Sequence, residues 1–171
     1  MLVVADTTPL NYLILIGHVG ILAPLYGQVV IPQAVATELQ HQNAPAIVRT
    51  WAATLPPWGA IRHAQGHPDP ALMYLGAGER EALLLVQELG AAAFLTDDLE
   101  GRKEAMQRGI EVTGTLGILE RAALRELIDL PAAITRLQAT TFYPPPELIA
   151  AMLTRDAARK SRPSSASDDS D

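Results

Sequence analysis

The residues of this chain that can do chemistry are carboxylates placed where apolar runs stop. AAAFLTDDLEGR, residues 91–102, is apolar through Leu95 and then sets Asp97 and Asp98 side by side. The run Leu2 to Ala5 ends in the same way, at Asp6. Glu79 opens a helical segment with Leu83 and Val86 at i+4 and i+7, so it shares the face directed at the core. Glu38 lies one turn beyond Ala34 and Val35 on an otherwise mostly apolar helix. Asp6 and Glu38 are the only formal charges between residues 1 and 48.

In open parallel sheets, ligands bind outside the carboxyl ends of the strands. Asp6 and Asp97 both sit at such ends, which places them on one rim. Gathering four or five carboxylates there is costly, because two unit charges about 4 Å apart repel by roughly 4 kcal/mol at an effective dielectric near 20. Protons can relieve this by raising some pKa values. Oxygen-only ligands, with no cysteine and no well-spaced histidine, suit the hard cations Mg²⁺ and Mn²⁺ better. One such cation, or a pair, can hold a phosphodiester, activate water and stabilise the leaving oxygen. Asp97 then reads as a metal ligand, and Asp98 as a second ligand or as a helix N-terminal residue favoured by the dipole.

The elements that must position these acids alternate. Leu2 to Ala5 is a strand, and Thr7, Thr8 and Pro9 read as the N-cap and first turn of a helix to about Ile16. Gln28 to Ile31 is a strand, and Pro32 opens the helix that carries Glu38. Leu55 to Pro70 reads as connection with a short strand at Ala60 to His63. GEREALLLVQELG is a helix, Ala91 to Thr96 a strand, and a further helix ends at Gly109. Ile110 to Thr113 is the last strand, with helices at Leu116 to Leu127, Pro131 to Gln138 and Pro146 to Leu153. This alternation predicts an α/β protein with a parallel sheet covered on both faces. Residues 1–155 form the expected domain, and the polar tail 156–171 is expected to be disordered.

Composition narrows the classes. With 171 residues, a single domain with a real core is expected. A net charge of −6 argues against broad attraction to nucleic acid and leaves room for a local site. No apolar run is long enough for a bilayer span, and MLVVAD has no basic signal-peptide region, so the cytoplasm is the expected compartment. His18, His41, His63 and His67 lack metal-ligand spacing, and Trp51, Trp58, Phe94 and Phe142 are too scattered for a stacking platform. GAGERE lacks the third glycine of a dinucleotide fingerprint.

Taken in order, VVADTTPLNYLILIG, VVIPQAVATEL, LGAGEREALLL and LTDDLEGRKEAMQRGIEVTGTLGILERA resemble the PIN-domain nucleases. The nearest branch is the short prokaryotic PIN proteins whose third acid is the glutamate of a Gly-x-Gly-Glu helix start. The resemblance covers about residues 2–153. It implies a three-layer α/β/α sandwich with a parallel sheet of about four to five strands, and a Mg²⁺- or Mn²⁺-dependent endoribonuclease. Many members are toxins of toxin–antitoxin pairs, so an RNA substrate, a small antitoxin protein and a homodimer are implied as partners.

Carried over residue by residue, Asp6, Glu38, Glu79 and Asp97 match the catalytic, metal-binding acids, and Asp98 matches an accessory acid. Thr8 matches a hydroxyl beside the first acid, and Thr96 the residue before the fourth, where a hydroxyl can orient a carboxylate or water. Asn11 stands where the family usually has an apolar residue, and either adds a polar group to the cleft or faces solvent. Arg102 and Lys103, one turn past Asp98, are the nearest cations for RNA. Two rivals remain: a PIN-like module that binds RNA or protein without turnover, and a phosphotransfer domain. Against the second, no lysine follows the last strand and Asp6 is not part of a DxD.

Overall fold

The structure, a computed structural model, describes residues 1–162. Its strands are β1 (Leu2–Ala5), β2 (Gln28–Pro32), β3 (Gly59–Arg62), β4 (Ala93–Leu95) and β5 (Val112–Thr113). They form one parallel sheet in the order β3-β2-β1-β4-β5. Parallel neighbours need crossover connections. The helices α1 (Thr7–Leu15) and α2 (Leu22–Tyr26) follow β1, and α3 (Gln33–Leu39) and α4 (Ala46–Ala53) follow β2. After β3 comes α5 (Ala77–Leu89), and after β4 comes α6 (Leu99–Gln107). The chain closes with α7 (Thr115–Leu124), α8 (Leu130–Gln138) and α9 (Pro146–Ser161).

Because strand side chains alternate between faces, the sheet has two cores. Val3, Ala5, Val29, Ile31 and Leu95 pack on one side with α1 to α4 and α7 to α9. Val4, Val30 and Phe94 pack on the other with α5 and with Ala105 of α6. These are the three layers the resemblance implied. The strand order reverses at β1, which has β2 on one flank and β4 on the other. That reversal opens a crevice at the carboxyl ends. The backbone N–H of Asp6 donates to the Leu95 carbonyl at 2.9 Å, which carries the β1–β4 ladder one residue further and fixes Asp6 at the crevice.

Four details depart from the sequence reading. Asp6 itself caps α1, accepting from the Thr7 backbone N–H, so Thr7 and Thr8 are first-turn residues. Where the sequence suggests an apolar helix at Val19 to Leu25, the structure has a 3-10 turn at Val19–Ile21 and then the short α2, which ends at Gly27, whose φ of 80° suits glycine. Helix α4 was missed too; it starts after Pro45 and buries only Val48 and Ala52. Helix α9 runs on to Ser161, past the boundary at residue 155, because Asp156 faces inward and is neutralised by Arg159 at 2.9 Å and Lys160 at 2.7 Å. The rest of the expected tail, residues 163–171, lies outside the described residues. Among the described residues no helix is long and apolar enough to cross a membrane.

Candidate active site

Asp6 is the most constrained of the acids. It is only 3 % exposed. Its Oδ1 accepts from the Thr7 N–H at 2.8 Å and its Oδ2 from the Thr96 hydroxyl at 3.0 Å. Both donors are neutral. Burial raises the Asp6 pKa to about 7, reinforced by the neighbouring Glu79 and, less strongly, Glu38, and the two hydrogen bonds offset this only in part.

Glu38, exposed on α3, is held by the Thr7 hydroxyl, which donates to Oε2 at 2.5 Å. Glycine at position 78 brings the first turn of α5 between these two acids. A β-carbon there would stand 3.4 Å from both Asp6 Oδ1 and Glu38 Oε1, so those oxygens lie within twice that distance of each other. Glu79, the next residue, is half-buried, and its carboxylate folds back over Gly76 at the start of its own helix. Its γ-carbon would be 3.5 Å from a β-carbon at Gly101, and Asp98 Oδ2 3.4 Å from the same point, so Glu79 also faces the start of α6.

Asp97 is anchored from the other side of the crevice. Thr115, the first residue of α7, donates its backbone N–H to Oδ1 at 2.8 Å and its hydroxyl to Oδ2 at 2.5 Å. Asp97 thus caps a helix from another element. Burial raises its pKa, opposed by the Thr115 bonds and by the positive charge of Arg102. Asp98 is the N-cap of α6, accepting from the Gly101 N–H at 2.7 Å, and it is exposed. Of the two readings left open for Asp98, this geometry is that of the helix N-terminal residue.

The accessory residues divide. Thr96 is fully buried and links the acids: its hydroxyl donates to Asp6 and accepts from the Asp98 N–H at 3.1 Å. Thr8 forms no side-chain hydrogen bond among the described residues; Thr7 is the threonine that contacts the acids. Asn11 lines a cavity shared with Thr7, Glu38 and His41, so it faces the cleft. Arg102 turns inward, donating to the Thr96 carbonyl at 3.2 Å, while Lys103 is exposed. Thr7, Thr115 and Gly78 were not singled out from the sequence. A threonine opening the helix after the last strand was the available signal for Thr115.

Glu81 was also overlooked. It is buried, and its carboxylate accepts from the Ala34 N–H at 2.7 Å and the Ala64 N–H at 3.2 Å, with His63 Nδ1 at 2.6 Å. It therefore fixes the start of α3, the helix that carries Glu38. Two glutamates a residue apart on α5 serve different ends: Glu79 meets the crevice and Glu81 braces the scaffold.

All the acids at the rim offer hard oxygens, and among the described residues the buried Asp6 has no cationic partner, which fits a divalent cation. Among the described residues, no three of these acids converge as a ready-made metal cluster. The carboxylates of Asp6, Glu38, Asp97 and Asp98 each accept instead from a neighbouring hydroxyl or amide.

No curated protein matches the chain. In structure it is similar to a PilT N-terminus domain protein from the hyperthermophilic archaeon Sulfolobus solfataricus P2, with a TM-score of 0.50 at 16 % identity over 69 % of this chain and 90 % of that one. At that identity the likeness speaks for the fold. Residues 2–157 match the family DUF3368, described as a PIN domain. The chain therefore belongs to the PIN-domain family, whose members are generally nucleases that use divalent metals.

Proposed function

We propose that the protein is a Mg²⁺- or Mn²⁺-dependent endoribonuclease that hydrolyses phosphodiester bonds with water as the nucleophile. The observation that carries this reading is the meeting of Asp6 and Glu38 at Gly78, with Asp6 buried, short of a cation and pushed up to about 7. A buried acid in that state is held ready for a charge that the fold does not itself supply.

Asp6, Glu38, Glu79 and Asp97 would hold the metal, with Asp98 contributing from the head of α6. A bound divalent cation supplies Lewis-acid stabilisation of the phosphate and lowers the pKa of water. The chain's own residues do the rest. Thr96 orients Asp6 through Oδ2, Thr115 locks both oxygens of Asp97, and Thr7 aims Glu38. Arg102 lies beside Asp97, where its guanidinium can meet a phosphate oxygen. The same reading includes a toxin role, with a small antitoxin protein as inhibitor and a homodimer as the working form; co-purification with a small partner and native mass read these out.

The test is cleavage of mixed RNAs with Mn²⁺, with EDTA, and by Asp6→Asn. Cleavage confined to the first condition is expected, and equal cleavage in all three discards the mechanism. The lack of three converging acids favours one alternative, a PIN-like module that binds RNA or protein without efficient turnover. Calorimetric Mn²⁺ binding without cleavage would select it.

A further inference from the structure

We propose that the groove opening from Asp97 carries a nucleobase-stacking subsite at Tyr143, which selects an unpaired strand at the acidic rim. This rests on the phosphodiesterase reading above. The groove has a volume of about 870 Å³; Asp97 and Arg102 line it, as do Leu116 and Arg121 of α7 and Tyr143 and Leu148. It therefore reaches the acidic rim at Asp97.

Tyr143 is 91 % exposed, an unfavourable place for an aromatic ring. Its backbone is nonetheless held on both sides. Phe142, just before it, packs edge-on against Tyr12 of α1 with ring centroids 5.0 Å apart. The Tyr12 hydroxyl shares a 2.8 Å hydrogen bond with Thr141 Oγ1. Pro144, Pro145 and Pro146 follow, and a residue that precedes proline is confined to extended conformations. A ring presented from so restrained a segment loses little freedom when a base stacks on it.

The walls indicate the ligand. Arg102 supplies positive charge in the groove; Arg121 also lines it but is paired with Glu111 at 3.5 Å, and Glu120, the groove's other acid beside Asp97, is paired with Arg155 at 2.7 Å. Leu99 and Leu124 add exposed apolar surface, at 80 % and 61 % exposure. Apolar surface, cations and an exposed aromatic face together suit a single strand, whose bases present π faces and whose phosphates are anionic. In a duplex those faces are stacked away. A second cavity, about 420 Å³, is lined by Thr7, Asn11, Glu38 and His41, on the Glu38 side of the acids.

The experiment is fluorescence anisotropy in EDTA with a short labelled oligouridylate, alone and paired with oligoadenylate, alongside the Mn²⁺ cleavage assay. The single strand should bind more tightly than the duplex. Tyr143→Ala should weaken single-strand binding about tenfold, and Tyr143→Trp should restore it. Unchanged single-strand affinity in Tyr143→Ala, with cleavage by the unsubstituted chain intact, overturns the stacking site and leaves the phosphodiesterase reading standing. Failure of the unsubstituted chain both to bind and to cleave removes both. If Tyr143→Ala instead alters the native mass while strand affinity holds, the groove is a contact between copies of the chain and the proposal falls.

Discussion

Asp6 and Asp156 are buried almost equally, at 3 % and 6 % exposure, and are opposite electrostatic objects. Asp156 sits between Arg159 and Lys160 of its own helix, and hydrogen bonds from both hold its pKa below the usual carboxylate range. Burial first, and then its acidic neighbours Glu79 and Glu38, push the Asp6 pKa up to about 7 against the two neutral donors that lower it. The surface cluster of Asp69, Glu104 and Arg108 repeats the Asp156 pattern, with each acid paired to the guanidinium at 2.8 to 2.9 Å. At Asp156, Asp69 and Glu104 the chain sets cations directly beside its acids. At Asp6 no cation stands beside the carboxylate among the described residues, which costs stability.

The most severe way to break this comparison is to remove the charges in turn. Asp6→Asn should lower Mn²⁺-dependent cleavage on the order of a thousandfold, because several kcal/mol of metal-derived stabilisation depends on it. Asp156→Asn should leave kcat/KM within about twofold, since no substrate contact is involved. A comparable loss in both variants would erase the distinction.

The pH dependence of stability should differ in sign. With its pKa raised in the folded state, Asp6 favours folding only while protonated, so its contribution is lost as pH rises between 3.8 and about 7. Asp6→Asn should therefore be more stable than the parent at pH 8, by at most about 4 kcal/mol, with the gain vanishing near pH 4. Asp156 has a depressed pKa, so its contribution is present above its unfolded pKa and lost as pH falls through the folded one. Asp156→Asn should cost about 1 to 2 kcal/mol at neutral pH and progressively less in acid. Urea unfolding of both variants across pH measures this.

Metal should sharpen the contrast further. Mn²⁺ at about a hundredfold excess over its dissociation constant should stabilise the parent by roughly 2.7 kcal/mol. The rise in Tm should be reversed by EDTA, absent in Asp6→Asn and unchanged in Asp156→Asn. The smallest expected effect comes from the hydroxyls. Thr115→Val should weaken Mn²⁺ binding and cleavage about tenfold by freeing Asp97. Thr7→Val should act in the same direction and less strongly, because Glu38 is exposed.

Much of the fold was legible because its signals are local and redundant. Leu2 to Ala5 stops at an acid, a helix starts directly after it, and the same punctuation recurs after β4. Helix α4 gives little signal because it is short and buries only Val48 and Ala52. Within the site, the sequence offered Thr8, while the structure turns Thr7 toward Glu38, since adjacent helical positions differ by about 100° in direction. Glu81 shows the same limit. Its partners, Ala34 and Ala64, lie far from it in the chain, and the bonds it accepts come from their backbone N–H groups, which no residue type announces.

By itself the sequence determined the alternation of strands and helices, the layers they stack into, and the places where carboxylates end the strands. These follow from periodicity, turn residues and the cost of burying charge, all of which act over a few neighbouring positions. Only the tertiary structure decided which acids stay uncompensated, because that depends on which hydroxyl, amide or guanidinium arrives from elsewhere in the chain. Thr115 reaching Asp97 and Gly78 seating α5 between Asp6 and Glu38 are such arrivals. Electrostatic energy is set by distance in space, and the order of residues along the chain does not fix it.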